Sequence, residues 1–332
     1  MTMERFKAYR LTEVEKKIRA EFVEMTLDDL DPGDVVVRVA YSDVNYKDAL
    51  AATGKGRILR RASCVGGIDL SGTVVSSDNP RFKKGDAVVG IGYELGVSHH
   101  GGYAQYARMP GEWLMKLPPG MSLWDAMAFG TAGYTAGIAI VRMEHEGLKP
   151  GNGPVLVNGA TGGVGSIALA ALAKSGYHVV ALTGKASESA WLKQLGAKEI
   201  LLRSDLNLEK IKPLDKSTWA GAIDNLGGDV LAWICSTMME NGVIGSIGLA
   251  ASPTLNTSVM PFILRGVRLL GINSGESSND VREAVWRRLA SDLKPPLLKD
   301  MARTVRFSQL PSVFDDFINA KVTRRVVVDL EE

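Results

Sequence analysis

Short runs of apolar residues, interrupted by Gly, Pro and Asp, dominate the first third of the chain. Val35–Val39 follows the turn residues Asp31–Asp34, and two further strand-like runs are Gly72–Val75 and Asp86–Gly90. Strands rich in β-branched residues and separated by such closely spaced turns are typical of a compact barrel or sandwich. We therefore predict a β-rich domain at the start of the chain.

The pattern changes near residue 120. Ser122–Asp125 resembles a helix capping box with Asp in place of the usual Glu, and a helix rich in Ala, Gly and Met is expected after it. Apolar strands then alternate with helices; the strands are predicted at 154–157, 178–182, 199–202, 221–224 and 243–247, and the helices at 166–175 and 188–195. Apolar runs without polar alternation are typical of strands buried on both faces. This alternation predicts an α/β domain with a doubly wound parallel sheet. The tail adds a short amphipathic helix at 313–320 and a last strand at Arg325–Asp329.

Composition narrows the class of protein. The chain has 332 residues, is 45% hydrophobic and carries a formal net charge of +2, which gives no reason to expect nucleic acid or a membrane surface as partner. The two cysteines, Cys64 and Cys235, are too few for a disulfide framework or a four-cysteine zinc site. The first residues are charged and lack an apolar signal-peptide core, and no run approaches the ~18 apolar residues of a membrane span. We expect a cytoplasmic protein.

A glycine-rich loop is the densest local signal. Asn158–Gly165 lies between a buried strand and an Ala-rich helix, with the spacing G-x-x-G-G-x-G rather than G-x-G-x-x-G. Glycines allow close approach of the backbone, and the first amides of the helix point outward unpaired, so a pyrophosphate is a suitable ligand. The predicted contacts are Thr161, Gly162, Gly163, Val164 and Gly165. The alternative is a glycine-rich turn needed only for packing of the helix on the strand.

The end of the next strand indicates which dinucleotide is bound. An NAD site usually has Asp or Glu there to hold the ribose hydroxyls, but this chain has Thr183, Gly184 and Lys185. A charge-assisted hydrogen bond from Lys185 to a 2′-phosphate contributes ~1.5–3 kcal/mol, roughly a tenfold to hundredfold preference for NADPH. Arg203, after the following strand, is a second candidate cation. The alternative for both is an ordinary solvated surface charge.

Seven segments of the chain are more specific than the glycine loop alone: Asn45–Leu50, Gly54–Gly56, Gly67–Asp69, Gly130–Gly133, Ala160–Gly165, Trp219–Asp224 and Val259–Arg265. Together they resemble the medium-chain dehydrogenase/reductase superfamily, and within it the NADPH-dependent acryloyl-CoA reductase branch. The resemblance implies a GroES-like β-rich domain from residues 1–124 and 298–332, a Rossmann domain from residues 125–297, and an active site in the cleft. It also implies a homodimer that reduces acryloyl-CoA, an acyl-CoA thioester, to propanoyl-CoA.

Cofactor contacts are implied by the same resemblance. Besides the residues of the glycine loop, they are Tyr46, Thr183, Gly184, Lys185, Arg203, Leu249, Ile263 and Ser274. Thr131, in the Gly130–Gly133 segment, is expected to contact the nicotinamide half of the cofactor or, alternatively, to serve only helix packing. In one departure from the family pattern, Ala320 stands where a polar Asn is expected.

No metal is expected. The resemblance to zinc alcohol dehydrogenases of the superfamily would place their first cysteine near Asp43 and their histidine within Gly67–Asp69, and neither is present. Three ligands are needed to hold a catalytic zinc ion. His99 and His100 are adjacent and would point to opposite faces of a strand, so we interpret them as a loop feature. Conjugate reduction does not require a metal, because hydrogen-bond donors can stabilise the enolate.

Two neighbouring residues are the predicted catalytic pair. The hydroxyl of Tyr46 can donate to an enolate oxygen or deliver a proton to the α-carbon, and Asn45 can orient the substrate. The alternative for Tyr46 is simple contact with the nicotinamide.

Basic residues are the candidates for substrate recognition. Arg57, Arg60 and Arg61 form a segment that could hold the phosphates of CoA, or form a solvated face. Arg325, at the start of the last strand, could face the substrate or the surface.

Three further interpretations are consistent with the sequence. A quinone or small-enone reductase of the same superfamily would not need the basic segment, and a redox sensor that binds NADPH would be no enzyme at all. The apolar run Val267–Ile272 could form a sheet edge that pairs two subunits.

Overall fold

Two compact units divide the chain in the computed structural model, which describes residues 5–319 and 321–331. The first unit comprises the chain up to Thr131, the segment Gly275–Glu283 and the chain from Leu298 onward. The second unit comprises Ala132–Ser274 and Ala284–Leu297. The segment Gly275–Glu283 therefore packs with the first unit, although it lies within the range that the sequence assigns to the α/β domain.

The described residues form sixteen strands and eight α-helices. The strands are β1 Phe6–Val14, β2 Lys17–Met25, β3 Val35–Asp43, β4 Ser63–Val65, β5 Asp69–Ser77, β6 Ala87–Ile91, β7 Tyr106–Met109, β8 Leu114–Lys116, β9 Val155–Asn158, β10 Val179–Thr183, β11 Glu199–Leu202, β12 Trp219–Asp224, β13 Met238–Ser246, β14 Arg268–Gly271, β15 Ala302–Arg306 and β16 Arg325–Asp329. The helices are α1 Tyr46–Thr53, α2 Leu123–His145, α3 Gly163–Lys174, α4 Ser189–Gln194, α5 Gly228–Thr237, α6 Met260–Arg265, α7 Asn279–Leu289 and α8 Leu310–Ile318.

The first unit is built on two sheets. A seven-stranded sheet has the order β15-β16-β3-β5-β6-β8, with β7 paired to β3, and a three-stranded sheet has the order β2-β1-β4. Alternate residues of β3 such as Val35, Val37 and Val39 are buried, as expected for a strand that covers a core on one face. Tyr9 of β1 packs its ring on Phe22 of β2, with ring centroids 4.8 Å apart. The β-rich character of this unit confirms the prediction.

The second unit contains one parallel six-stranded sheet in the order β11-β10-β9-β12-β13-β14. Every residue of β9, β10 and β12 is buried, because helices cover both faces of a doubly wound sheet. All five strands predicted here from apolar runs are present as β9 to β13. β14, at one edge, overlaps the predicted run Val267–Ile272.

The start of α2 confirms the predicted capping box. The backbone N–H of Ser122 donates to Asp125 Oδ2 at 3.0 Å, and the backbone N–H of Asp125 donates to Ser122 Oγ at 3.0 Å. These reciprocal bonds satisfy two amides that a helix start leaves unpaired.

Several elements were not anticipated from the sequence. The hairpin of β1 and β2 and the helices α1, α5 and α7 have mixed or weakly periodic polarity, and the helix expected at 188–195 is shortened to α4 after a single 3-10 turn. The helix expected at 313–320 is α8, and Ala320 lies outside the described residues. Among the described helices, none is long and apolar enough to cross a membrane.

Candidate active site

The glycine loop joins β9 to α3 within the second unit. Gly162 is the N-cap of α3, so the amides of the first helical turn follow directly after the loop. Gly165 allows the helix to approach the strand, because a Cβ there would lie 2.3 Å from the carbonyl oxygen of Gly159. Thr161, Gly162, Gly163 and Val164 are at least partly exposed, as a ligand-binding turn requires. This geometry suits a phosphate group.

A buried polar cluster stands beside this loop, at the carboxyl ends of β9 and β12. The Asn158 side chain donates to Asp224 Oδ1, while Asn158 Oδ1 accepts from the Asn225 backbone at 2.6 Å. Asn225 Nδ2 donates to the Asn158 carbonyl at 2.8 Å, which leaves Asn225 Oδ1 buried without a hydrogen-bond partner. Burial raises the pKa of Asp224, although its bonds from Asn158 and Gly227 oppose the change.

The orphaned oxygen of Asn225 is an acceptor suited to a ribose hydroxyl of a dinucleotide. Ligands of open α/β sheets bind outside the carboxyl ends of the strands, where Asn225 lies. Sequence reasoning missed this residue, although the motif that ends in Asp224 pointed to its neighbourhood.

The turn after β10 brings together the residues predicted to select the dinucleotide. The backbone N–H of Lys185 donates to Thr183 Oγ1 at 3.0 Å, which closes a tight turn. Arg203 follows β11, the neighbouring parallel strand, and its guanidinium would lie 3.9 Å from a Cβ placed on Gly184. Lys185 is partly buried and Arg203 is exposed. The structure therefore places the two predicted cations on adjacent turns, after the neighbouring strands β10 and β11.

The remaining predicted cofactor contacts of this unit are scattered. Leu249 follows β13 and is 66% exposed, next to Gly248, whose backbone lies against Asn225. Ile263 is 72% exposed on α6, and Arg265 of that helix donates to the carbonyls of Ser236 in α5 and Met238 at the beginning of β13. Ser274 is partly exposed at the end of the unit. Their contacts with a cofactor remain predictions.

In the first unit, the predicted catalytic pair lies at the start of α1. Tyr46 is the first residue of the helix and is 57% exposed. Asn45 precedes it, and the Asn45 backbone N–H donates to Asp48 Oδ2 at 2.9 Å. Asn45 Nδ2 donates to Asp43 Oδ1 at 2.8 Å and to Asp69 Oδ2 at 2.9 Å. Both amide hydrogens of Asn45 are thus used inside the unit, and its predicted contact with a substrate stays a prediction.

Arg325 completes this network. Its guanidinium donates to Asp43 Oδ2, to Asn45 Oδ1 at 3.3 Å and to the Ala128 carbonyl at 3.3 Å. Arg325 is 5% exposed and Asp43 is fully buried, so the expectation of a surface arginine is wrong. A guanidinium held by these acceptors is also not available to the phosphates of CoA.

Thr131 belongs to the same network. Its backbone N–H donates to Asp69 Oδ2 at 2.7 Å, and its hydroxyl donates to Asp69 Oδ1 at 2.6 Å. The preceding residue, Gly130, kinks α2 with φ 51° and ψ −158°. A Cβ on Gly130 would lie 1.8 Å from Asp43 Oδ2, so only glycine fits there.

Burial shapes the protonation of these carboxyls. It raises the pKa of Asp43 well above its ordinary value; the charge of Asp69 acts in the same direction, and Arg325 opposes it. Burial, together with the charge of Asp69, raises the pKa of Asp48 to about 7. The backbone amides of Asn45 and Ile68, which donate to Asp48, limit this rise.

The residues around Asp43 and Asp69, where related zinc enzymes are expected to have their ligands, do not fit a zinc ion. The oxygens of Asp43 accept from Asn45 and Arg325, those of Asp69 accept from Asn45 and Thr131, and a guanidinium already supplies the positive charge. His99 and His100 lie in a loop, where His100 Nδ1 is 2.9 Å from Asp31 Oδ2. Within the described ranges, no three His, Cys, Asp or Glu side chains are grouped to hold a metal.

The basic segment lies elsewhere in the first unit and its members have separate roles. Arg61 donates to both carboxylate oxygens of Asp31 at 2.7 Å, and Arg60 pairs with Glu94 at 3.0 Å. Arg57 is exposed and lines an open pocket of about 530 Å³. That pocket is lined by Glu13, Glu15, Lys16, Arg57, Leu59, Arg60, Arg61 and Ala62.

Comparison with known proteins identifies the class. Residues 31–119 match the model of the alcohol dehydrogenase GroES-like domain, and residues 163–291 match that of the zinc-binding dehydrogenase family. The chain is 47% identical to YhfP of Bacillus subtilis, which is named as a candidate quinone oxidoreductase, over 92% of this chain and 93% of YhfP. It is 43% identical to the acrylyl-CoA reductase AcuI of Ruegeria pomeroyi, over 95% of both chains.

Solved structures agree with these matches. The YhdH oxidoreductase of Salmonella enterica, in complex with NADP, superimposes with a TM-score of 0.95 at 42% identity, covering 98% of this chain and 100% of that one. YhfP with NAD bound superimposes with a TM-score of 0.96 at 44% identity and the same coverage.

The chain belongs to the medium-chain dehydrogenase/reductase superfamily, in the group that includes AcuI and YhfP, and is an oxidoreductase that acts on a small molecule. The predicted fold class, a GroES-like β-rich domain with a Rossmann domain, is confirmed.

Proposed function

We propose that this protein is an NADPH-dependent reductase that converts acryloyl-CoA to propanoyl-CoA by reducing the conjugated carbon–carbon double bond. The observation that carries the substrate is the 43% identity with an acrylyl-CoA reductase over 95% of both chains. The test is oxidation of NADPH by the purified protein with acryloyl-CoA, crotonyl-CoA and a quinone in parallel, with the acyl product identified by mass spectrometry.

NADPH is the proposed cofactor because its additional phosphate suits the two cations on the turns after β10 and β11. Lys185 and Arg203 lie on adjacent turns, the glycine loop offers helix amides to the pyrophosphate, and Asn225 Oδ1 is a free acceptor for a ribose hydroxyl. The NADP complex of YhdH supports this choice, while the NAD complex of YhfP makes the two cations the feature to test. When bound, NADPH supplies the hydride for the β-carbon of the substrate.

Tyr46 is the proposed donor to the thioester carbonyl oxygen. Its side chain is 57% exposed at the beginning of α1, so the hydroxyl is accessible to a ligand. Negative charge grows on the carbonyl oxygen when hydride adds to the β-carbon, and a donor fixed at that point stabilises it. A Tyr46→Phe variant is expected to lose kcat by roughly 10²-fold, as found for single oxyanion donors.

The CoA phosphates are assigned to the pocket beside the basic segment. Arg57 and Lys16 are its available cations, whereas Arg61 is held by Asp31 and Arg60 forms an exposed pair with Glu94. Arg57→Ala is expected to raise KM for acryloyl-CoA and leave KM for a small enone unchanged. Lys47→Ala, a change of an exposed cation outside the pocket, is the matched control.

A quinone or small-enone reductase is the second candidate, favoured by the 47% identity with YhfP. Such an enzyme would oxidise NADPH with the quinone faster than with acryloyl-CoA and would be indifferent to the loss of Arg57. Binding of NADPH without turnover of any of these acceptors would favour a sensor.

A homodimer through the edge of the Rossmann sheet is also proposed. In the described chain β14 pairs on one side, with β13, so its other side is open to a second copy. The neighbouring helix α6 presents Ile263 and Leu264, which are 72% and 60% exposed. Leu264→Glu is expected to shift the mass measured by light scattering from dimer to monomer; a wild-type monomer would contradict the assembly.

A further inference from the structure

The side chain of Asn45 is held by groups on three neighbouring strands of the seven-stranded sheet. Its Nδ2 donates to Asp43 Oδ1, at the end of β3, at 2.8 Å and to Asp69 Oδ2, at the start of β5, at 2.9 Å. Its Oδ1 accepts from the guanidinium of Arg325, at the start of β16, at 3.3 Å. The strands β16, β3 and β5 are paired with one another in that order, so the backbone that carries these partners is fixed by the sheet.

These partners allow one orientation of the Asn45 amide. A guanidinium can only donate, so the atom that faces Arg325 must be the amide oxygen, and the NH₂ group then faces Asp43 and Asp69. Both amide hydrogens are used by these two carboxyls. The side chain of Asn45 therefore has no hydrogen left to donate to a substrate.

Asp69 is itself firmly held. Besides Asn45, it accepts the backbone N–H of Thr131 at 2.7 Å and the hydroxyl of Thr131 at 2.6 Å. Asp69 is fully buried, so water does not compete for these bonds, and the low local dielectric strengthens them. Asn45 is thus attached to a part of the first unit that has little freedom to move.

The backbone of Asn45 is held as well, and Tyr46 follows it directly. The N–H of Asn45 donates to Asp48 Oδ2 at 2.9 Å, and Asp48 Oδ1 accepts the N–H of Ile68 at 3.0 Å. Tyr46 is the first residue of α1, is 57% exposed and makes no hydrogen bond through its side chain to any described residue. The position of the Tyr46 ring therefore depends on the backbone that Asn45 holds in place.

We propose that Asn45 is a positioning residue, which places the hydroxyl of Tyr46 by coupling the start of α1 to the sheet. The inference rests on the proposed function, in which Tyr46 donates to the thioester carbonyl oxygen. Asn45 then acts through its neighbour instead of through a contact with the substrate. A donor that stabilises a developing charge must be fixed before the reaction begins, and a misplacement of ~1 Å can lower a rate by ~10²-fold.

A double-mutant cycle between Asn45 and Tyr46 tests the inference. Asn45→Ala is expected to lower kcat on acryloyl-CoA by roughly 10–10²-fold and to change KM and the affinity for NADPH by less than about threefold, because no ground-state contact is lost. In the Tyr46→Phe background, Asn45→Ala should lower kcat by less than about threefold, since the hydroxyl that Asn45 places is already absent. Asn45→Ser can still donate to one of the two carboxyls, so its kcat should lie between those of Asn45→Ala and the wild type.

Two control variants separate this role from a loss of stability. Thr53→Val removes a hydrogen bond to the Ala49 carbonyl within α1, and Ser122→Ala removes a helix cap in the same unit. Both should keep the kcat of the wild type. Hydrogen exchange of the cofactor-free protein, followed by mass spectrometry, gives a readout that needs no substrate. Amides at the start of α1 should exchange faster in Asn45→Ala than in the wild type, and at the wild-type rate in Thr53→Val.

The possible results distinguish the positioning role from the proposed function. If the wild type reduces acryloyl-CoA but Asn45→Ala retains kcat within about threefold, or lowers it equally with and without the Tyr46 hydroxyl, the positioning role is overturned and the proposed function stands. Unchanged exchange at the start of α1 in Asn45→Ala would also overturn it. If Asn45→Ala does not fold, the same cycle and the same exchange measurement with Asn45→Ser decide. A wild type without activity on acryloyl-CoA would overturn the proposed function and, with it, this role of Asn45.

Discussion

Replacement of Arg325 by methionine removes the cation that pairs with Asp43, which is buried close to Asp48 and Asp69. The change leaves Asp43 without its ion pair and leaves the Ala128 carbonyl and Asn45 Oδ1 without a donor from this side chain. Loss of one partner from a buried ion pair destabilises a protein by ~3–5 kcal/mol, because the other charge stays buried and unpaired.

Protonation of a buried carboxyl sets an upper limit to this loss of unfolding free energy. Protonating a carboxyl whose ordinary pKa is ~4 costs ~4 kcal/mol at about pH 7. The variant takes up a proton on these carboxyls when this cost is smaller than that of keeping the charge buried and unpaired. We therefore expect Arg325→Met to lower the free energy of unfolding by ~3–4 kcal/mol near pH 7. The folded variant then binds about one proton more than the wild type, so its deficit shrinks by ~1.4 kcal/mol for each unit that the pH falls.

Urea denaturation of the wild type, Arg325→Met and Arg325→Lys at about pH 7 and about pH 5 measures both quantities. The lysine variant keeps the charge and should lie between the other two, because an ammonium cannot reach the same set of acceptors as the guanidinium. Adding Asp43→Asn to Arg325→Met should recover part of the loss, since the uncompensated charge is gone. A loss below ~1 kcal/mol, or an equal loss at both pH values, would refute the reasoning.

Four further predictions follow from single positions. Gly130→Ala should destabilise the first unit by ~3 kcal/mol or more in the same denaturation assay, since its φ is 51° and a Cβ would lie 1.8 Å from Asp43 Oδ2. Lys185→Ala should lower kcat/KM for NADPH roughly tenfold to hundredfold and leave that for NADH unchanged; equal effects on both would contradict the phosphate contact. Ser122→Ala should lower stability by ~1 kcal/mol through loss of the helix cap, with Ser204→Ala as an exposed control. The pKa of Asp48, raised to about 7, means that the folded state holds this proton more tightly, so stability should fall as the pH rises from about 4 through about 7, and Asp48→Asn should flatten that slope.

The Rossmann unit is the part of this protein that its local sequence predicts best. The strands β9 to β13 and the glycine loop each follow from adjacent residues, because buried parallel strands and phosphate loops have short sequence signatures. In the first unit, the capping box of α2 was predicted for the same reason. The β1–β2 hairpin was not predicted, because polar and apolar residues alternate only in part along its strands. Its stability depends on aromatic contacts such as that of Tyr9 with Phe22, which the local sequence does not reveal.

The contacts of Asn45 and Arg325 could not be predicted from the residues next to them in the sequence. Asn45 was singled out from its motif, but the motif does not reveal that both of its amide hydrogens are used by Asp43 and Asp69. Arg325 had two open interpretations, substrate or surface, and the structure has it buried against Asp43, which lies 282 positions earlier in the chain. Asn225 was missed because its unpaired oxygen becomes apparent only when β9 and β12 lie side by side.

The sequence by itself determined the class of each domain, the phosphate loop and the cations beside it, because these depend on neighbouring residues and on the period of apolar positions. Only the tertiary structure decided that Asp43, Asn45, Asp69, Thr131 and Arg325 form one hydrogen-bonded network. Those residues come from β3, the loop before α1, β5, the kink in α2 and β16, and the side chains meet because of strand pairing across the whole first unit. A hydrophobic pattern indicates which face of a strand is buried, but it carries no information on which charged groups face one another there.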